Sequence, residues 1–438
     1  MSATIALHMH QPLIPAGGSD LQTADVISNL QDMFNNQGVG DNHNASVFQW
    51  CYKRIGEFVP ELVAEGKEPR VMLEYSGNLL WGLQKMGLND VLDALKGVTC
   101  NSNYHRHVEW LGCPWGHAVA PSTPVQDYRL HVIEWRKFFA ELFGSEALAR
   151  VKGFSPSEMA LPNHPDIAYE FVKTLKENGY TYVLVQEHTI EDPQTSYGPK
   201  ERYFPNRLVC KNTKGEELSI TCLIKTQGSD TKLVAQMQPW YEACSLAPIE
   251  FKGHTLPRLV TQIADGENGG VMMNEFPDKY KEVVRISTNS QTPLVNGSEY
   301  LEMLAKLGIS ENDLPVVQPI YQKRIWDKFI PGDSQEKFDQ AITELKNADS
   351  RFHMEGGSWT NNISWVKGYD NLLGPMEQAS VAFNERYIRP QVDPNEQGYK
   401  SALFNLMCAQ TSCFRYWGQG VWTDYGREFC RRTISLCR

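Results

Sequence analysis

Two carboxylates stand just after apolar, β-rich runs that lie far apart in the chain. Glu158, in Gly153-Phe154-Ser155-Pro156-Ser157-Glu158-Met159, follows the run from Ala149 to Phe154. Asp265, in Asp265-Gly266-Glu267-Asn268-Gly269-Gly270, follows the run from Arg258 to Ala264. In a barrel of parallel strands, the strand ends converge on one mouth whatever their separation in sequence. Two carboxyl groups meeting there can cleave a glycosidic bond, one as nucleophile and the other as general acid and base. Singly, each has a plainer role: Glu158 caps a helix and Asp265 shapes a Gly-rich turn. Only their joint placement points to catalysis.

Around this pair stand groups that could bind or coordinate. His8-Met9-His10-Gln11-Pro12 closes the first β-rich run, and strand alternation puts His8 and His10 on one face. Three roles are open to them: two imidazoles on zinc, as a metal-dependent amidohydrolase or polysaccharide deacetylase begins; a hydrogen bond to a sugar hydroxyl; or core histidines satisfied by backbone carbonyls. The metal role needs further ligands. His188 could supply one, but the turn after Asp265 brings no histidine, so the site is read without a metal or cofactor. Val108-Glu109-Trp110-Leu111-Gly112-Cys113-Pro114-Trp115-Gly116-His117 sets Trp115 and His117 beside Gly and Pro turns, which suits a saccharide platform and equally suits a packed corner. Glu74-Tyr75-Ser76-Gly77 ends the second run in a similar way. Trp359-Thr360-Asn361-Asn362-Ile363-Ser364-Trp365 offers two more indoles as a lid.

The elements that must position these groups follow from periodicity. β-rich runs occur at Thr4 to His10, Arg70 to Tyr75, His107 to Leu111, the approach to Glu158, Tyr180 to Gln186, Ser219 to Lys225 and Arg258 to Ala264. Between them, Val125 to Phe143 and Ile167 to Asn178 carry apolar residues at three- and four-residue steps, the mark of amphipathic helices. Strand and helix in alternation predict an α/β fold with a parallel sheet, and its repetition predicts a barrel. Seven strands can be counted. The spacing predicts a barrel over 1–276 and a mainly helical C-terminal region over 277–438 that completes the cleft, with helices at Ser298 to Leu307, Gln335 to Ala348, Gln378 to Tyr387 and Lys400 to Tyr416. Gln11 to Gly40 reads as a long polar loop, and loops of that length usually have a role.

Composition narrows the partners. A chain of 438 residues with formal net charge −10 lacks the Lys and Arg clusters that nucleic acid requires. No stretch approaches the length of a membrane-spanning helix. The N-terminus, Met1-Ser2-Ala3-Thr4-Ile5-Ala6-Leu7, has neither the basic residues nor the apolar run of a signal peptide. Ten cysteines without paired C-x-x-C spacing then read as reduced thiols of a cytoplasmic protein.

Taken in order, these motifs resemble glycoside hydrolase family 57. His10-Gln11-Pro12 resembles its opening motif, Glu109 to Pro121 its second conserved region, Gly153 to Met159 the region of the nucleophilic glutamate, and Asp265-Gly266-Glu267 the region of the catalytic aspartate. The resemblance implies a (β/α)7 barrel, a distorted TIM-like barrel, with metal-free retaining chemistry on α-glycosidic bonds, usually of α-glucans. Amylase, 4-α-glucanotransferase, branching enzyme and α-galactosidase activities occur in the family. It also implies an oligo- or polysaccharide substrate, with Glu158 as nucleophile and Asp265 as acid and base. The sugar would be held by His10, Glu74, Trp115, His117 and Trp359, and Glu267 would support the site from behind. Retention needs the two carboxyls roughly 5 Å apart. Asp265 must begin protonated, so burial and the Glu158 charge are expected to raise its pKa. Two departures touch the site walls: Phe154-Ser155 stands where the family often has a tryptophan, and Asn268-Gly269-Gly270 follows the aspartate. A carbohydrate-binding homologue without turnover is the remaining alternative.

Overall fold

The seven β-rich runs become seven parallel strands that close on themselves. In a computed structural model, which describes residues 1–18, 20–226, 231–267, 273–359, 370–416 and 420–438, the strands are β1 (Ser2–Met9), β2 (Val71–Tyr75), β3 (Val108–Gly112), β4 (Gly153–Phe154), β5 (Tyr182–Gln186), β6 (Glu217–Lys225) and β7 (Leu259–Asp265). They pair in chain order, β7 returns to β1, and Lys225 on β6 meets Thr261 on β7, which completes the ring.

Parity along each strand sorts the residues. Ala6, Met72, Leu111, Tyr182, Leu184, Leu223 and Ile263 form one buried cluster. Their alternating neighbours Ile5, Leu7, Leu73, Tyr75, Val183, Val185, Ile224 and Val260 belong to another. These are the inner and outer faces of the wall, since successive side chains on a strand point oppositely. Both faces are covered, so the strands read as nearly continuous apolar runs. His8, Glu74, Glu109 and Asp265 share the inner parity, and that is how isolated polar residues come to face the barrel axis.

The outer layer includes α1 (Ala45–Ala64), α2 (Gly77–Lys85), α3 (Asn89–Cys100), α4 (Val125–Phe143), α5 (Pro165–Glu177) and α6 (Phe276–Ser287). In α5, Ala168, Phe171, Val172 and Leu175 are buried, a stripe at three- and four-residue steps that lies against the wall. The floor is closed by α7 (Gly297–Lys306). There the Glu109 carboxylate accepts from Tyr182 Oη at 2.7 Å, Ser298 N at 3.0 Å and Ser298 Oγ at 2.5 Å. A carboxylate that accepts from a helix's first turn satisfies an otherwise orphaned N–H and favours the helix dipole.

Beyond residue 277 the chain is mainly helical, with α8 (Gln335–Ala348), α9 (Asp370–Phe383), α10 (Gln397–Ala409), α11 (Ser412–Tyr416) and α12 (Val421–Leu436). It also supplies a strand, Val316–Pro319, which pairs with Asn206–Lys211. Tyr280, Phe383, Leu406 and Phe429 belong to the same apolar cluster as the outer barrel wall, so one core spans residue 276.

Three expectations are corrected. The Gln11 to Gly40 stretch is no bare loop: Leu13–Pro15 and Val26–Ser28 form an antiparallel hairpin, followed by a helix at Asn29–Asn35 that the Ser28 side chain caps. The helix expected at Gln378 begins at Asp370 and continues beyond Phe383 as a π-turn, Asn384–Ile388. Lys400 to Tyr416 is two helices, broken where the polar Gln410 and Thr411 interrupt the apolar run. Among the described residues no helix is long and apolar enough to cross a membrane.

Candidate active site

The ends of β1, β2, β3, β4 and β7 deliver the polar residues of the mouth. Register makes His8 the neighbour of both Asp265 on β7 and Glu74 on β2. His8 Nδ1 and Glu74 Oε2 are hydrogen-bonded. Burial opposes a charge on His8, but Glu74, with Glu267 and Asp265 further off, outweighs it and raises the imidazole to about 10. The other two imidazoles stay neutral. Burial and then the His8 charge push His10 well below its usual value, and His117 is lowered by burial and by both neighbouring histidines. The His10 and His117 rings stack with centroids 4.1 Å apart, and His8 lies 4.7 Å from His117.

Each neutral imidazole is anchored through Nδ1, His10 to Ser76 Oγ at 2.7 Å and His117 to Ser412 Oγ at 2.6 Å. Ser76 Oγ also accepts from Leu79 N and so caps α2. The opposite nitrogens, His10 Nε2 and His117 Nε2, are buried and have no hydrogen-bond partner among the described residues. Buried polar atoms are nearly always paired, and exceptions point to a missing partner such as a ligand. Among the described residues no group of three His, Cys, Asp or Glu side chains is arranged to hold a metal.

Glu158 sits at a strained corner. Its φ is 59° and that of Met159 is 50°, left-handed values that cost about 1–3 kcal/mol each for residues with a Cβ. The corner is fixed from outside. Trp359 N donates to the Glu158 carbonyl at 2.9 Å, and Leu161 and Gly357 exchange backbone hydrogen bonds alongside it. The carboxylate accepts from Trp359 Nε1 at 2.9 Å and lies 3.9 Å from His117 Nδ1. Burial first, and then the charge of Asp265, raise Glu158 to about 7, opposed by His8 and by hydrogen bonds from Trp359 and Ser412.

The burial expected at Asp265 falls on its neighbours instead. Asp265 is exposed at the end of β7, whereas Glu267 is pushed up to about 8, chiefly by burial. Glu267 Oε1 accepts from His10 N at 3.1 Å, the supporting position expected of it.

One expected sugar contact lies elsewhere. Trp115 is 4% exposed, packed edge-on to Phe404 and over Gly77, where a Cβ would come within 2.2 Å of its ring. The indole therefore fills a corner and offers no free face. Glu74 is buried, with its Oε2 hydrogen-bonded to His8. Trp359 is 47% exposed. Thr360 to Trp365 and Asn268 to Gly270 lie outside the described residues. His188 falls in a single helical turn, Glu187–Thr189, after β5.

Ser76 and Ser412 are not among the site residues expected from the sequence. Ser412 had a signal: Gln410-Thr411-Ser412 is a polar break in an apolar helical run, and the chain there turns to the mouth. His131 Nε2 meets Gln410 Oε1 at 2.9 Å, and Thr411 Oγ1 donates to the Gly116 carbonyl at 2.8 Å, so this break is held against the His117 corner.

Comparison with known proteins agrees with this architecture. Residues 4–233 match the family model described as glycosyl hydrolase family 57. No curated protein sequence matches the chain. Among solved structures, the chain resembles 4-alpha-glucanotransferase from Thermococcus litoralis, with TM-score 0.57 and 18% identity, covering 99% of this chain and 57% of that one. A GH57-type branching enzyme from Pyrococcus horikoshii superposes with TM-score 0.59 and 11% identity, covering 99% of this chain and 88% of that one. An exo-type maltose-forming amylase from Pyrococcus sp. ST04 gives TM-score 0.53 and 12% identity over 100% and 73%. At these identities the likeness concerns the fold. The chain spans little more than half the length of the glucanotransferase.

Proposed function

The chain belongs to glycosyl hydrolase family 57, and we propose that it cleaves or transfers α-glucan chains by a retaining double displacement with Glu158 as nucleophile and Asp265 as acid and base. The observation that carries this reading is the mouth itself. Two carboxyl groups from different strand ends flank one histidine cluster: Glu158 lies 3.9 Å from His117 Nδ1, the His117 and His8 rings are 4.7 Å apart, and His8 is the register neighbour of Asp265, beside two buried imidazole nitrogens that lack partners among the described residues. The solved structures with this fold include a glucanotransferase, a branching enzyme and an amylase, which favours an α-glucan as substrate.

In the first step Glu158 Oε1 or Oε2 attacks the anomeric carbon while Asp265 gives a proton to the departing oxygen. Water or a sugar hydroxyl, relieved of its proton by Asp265, then releases the glycosyl group. The strained backbone aims the Glu158 carboxylate, and the Trp359 N–H steadies its charge. His10 and His117 offer Nε2 to hydroxyls of the transferred sugar, and the indole of Trp359 packs on a ring. Glu74 keeps His8 charged, so an imidazolium stands beside Asp265 when a proton shifts.

Incubation with maltooligosaccharides of defined length and with glycogen, followed by sizing of the products, tests the reading. Longer chains signal transfer and exclusively shorter ones signal hydrolysis. If neither substrate changes, the α-glucan reading is wrong. Glu158→Ala should lose turnover and regain it with azide, releasing a β-glycosyl azide from an α-glycoside. An α-azide would contradict the assigned face of attack.

A further inference from the structure

Arg54, in the middle of α1, is one of the largest side chains sealed in the interior, at 1% exposure. Outer helices normally turn a guanidinium to solvent, and withdrawing one from water is unfavourable unless charge and hydrogen bonds compensate. Compensation here is thin. Nη2 donates to the Gly266 carbonyl at 2.8 Å, and Nε has no partner among the described residues. The guanidinium lies over the rings of Trp50 and Phe276, 5.4 and 5.0 Å from their centroids. Hydrophobic residues would fill this space at less expense, so a buried Arg that breaks the local pattern calls for a reason outside stability.

The acceptor supplies that reason, because Gly266 is the residue between Asp265 and Glu267. We infer that Arg54 is a positioning residue for Asp265: by gripping the Gly266 carbonyl it fixes the peptide that follows the acid and base, and so sets where Asp265 presents its proton. The other side of the turn is held from β1. Gly266 N donates to the His8 carbonyl at 2.7 Å, His10 N donates to Glu267 Oε1 at 3.1 Å, and a Cβ on Gly266 would come within 2.3 Å of Met9 Cε. With β1 holding the N–H and Arg54 the carbonyl, the peptides flanking Gly266 have little freedom to rotate. Asp265, although exposed, thus projects from a backbone gripped on two sides, and α1 enters the site without touching substrate.

The inference rests on Asp265 serving as the acid in the proposed reaction, and the test separates the two. kcat/KM is measured for wild type, Arg54→Met and Arg54→Lys with two donors. One is a maltooligosaccharide, whose leaving oxygen needs a proton; the other is an α-glucosyl fluoride, whose leaving group does not. A misplaced acid should lower kcat/KM of Arg54→Met roughly 100-fold on the oligosaccharide and less than about threefold on the fluoride. Arg54→Lys, which keeps a donor and the charge, should fall between, and it carries the test if the Met variant fails to fold. Equal losses on both donors would overturn the positioning role. A wild-type protein inert to both donors would overturn the proposed function, and the assignment of Arg54 with it.

Discussion

Glu109 and Glu158 are two carboxyl groups on one barrel, both raised chiefly by burial, and they differ in what surrounds them. At the floor, Glu109 accepts three hydrogen bonds from Tyr182 and Ser298, and its backbone belongs to an ordinary strand. At the mouth, Glu158 is bonded by Trp359 Nε1 and Ser412, and its backbone is left-handed. A buried carboxylate with its lone pairs occupied ties elements together. One in a strained corner, beside imidazole nitrogens unpaired among the described residues and a second carboxyl group, has the features expected of a functional site. Depth of burial is common to both; strain and incomplete pairing tell them apart.

The contrast breaks most visibly at Glu158. Glu158→Gln should lower kcat by roughly 10⁴-fold or more, since a nucleophile is lost. The same change should stabilise the fold at high pH. Glu158 has a folded-state value of about 7 against an unfolded value of 4.5, so the wild type loses stability as pH rises between the two while the amide does not. Chemical unfolding at pH 8 should find the variant more stable by about 2 kcal/mol, a gain that shrinks towards zero at pH 5. A variant less stable at pH 8 would mean that Glu158, like Glu109, is structural. Because the attacking carboxylate must be ionised in the free enzyme, wild-type kcat/KM should show an acid limb displaced upward from the ordinary carboxylate range, chiefly by burial.

A smaller effect is expected from Trp359→Phe. Losing a hydrogen bond to a charged group costs about 1.5–3 kcal/mol, so kcat/KM should fall roughly 10- to 100-fold. The acid limb should also move to higher pH, since that N–H favours the ionised form. A loss with no shift of the limb would reduce Trp359 to a packing surface. Ser412→Ala, which frees His117 Nδ1, should raise KM about fivefold, in line with one neutral hydrogen bond of roughly 1 kcal/mol. The least effect on turnover belongs to Glu109→Ala: kcat within about threefold of wild type, but stability lower by about 2–4 kcal/mol, because Ser298 N and Tyr182 Oη lose their acceptor. A large loss of kcat with the fold intact would erase the distinction between floor and mouth.

The wall of the barrel was legible in the chain because its strands are buried on both faces and their apolar runs are dense. Except for the fourth, each begins within two residues of its expected start. The inward parity of His8 and Glu74 followed from alternation. What the chain could not display was direction at turns and pairing across distance. Trp115, beside Gly and Pro, could face solvent or core, and the choice depends on Gly77, whose missing side chain leaves room for the ring. Ser412 meets His117 across 295 positions. Arg54 lies on the apolar stripe of its helix, between Cys51 and Phe58, where a charged residue is unexpected, and its acceptor lies 212 residues away. Glu109 lies within β-rich sequence and Glu158 follows it, and the partners that separate their roles come from α7 and from the segment before residue 360.

The most direct test is to find which side chain becomes glycosylated. A fluorinated α-glucosyl fluoride that forms the intermediate faster than it breaks down should inactivate the protein, and proteolysis with mass spectrometry should locate one sugar on Glu158. A label on Asp265 or Glu267, or full turnover with no covalent adduct at any carboxylate, would contradict the account.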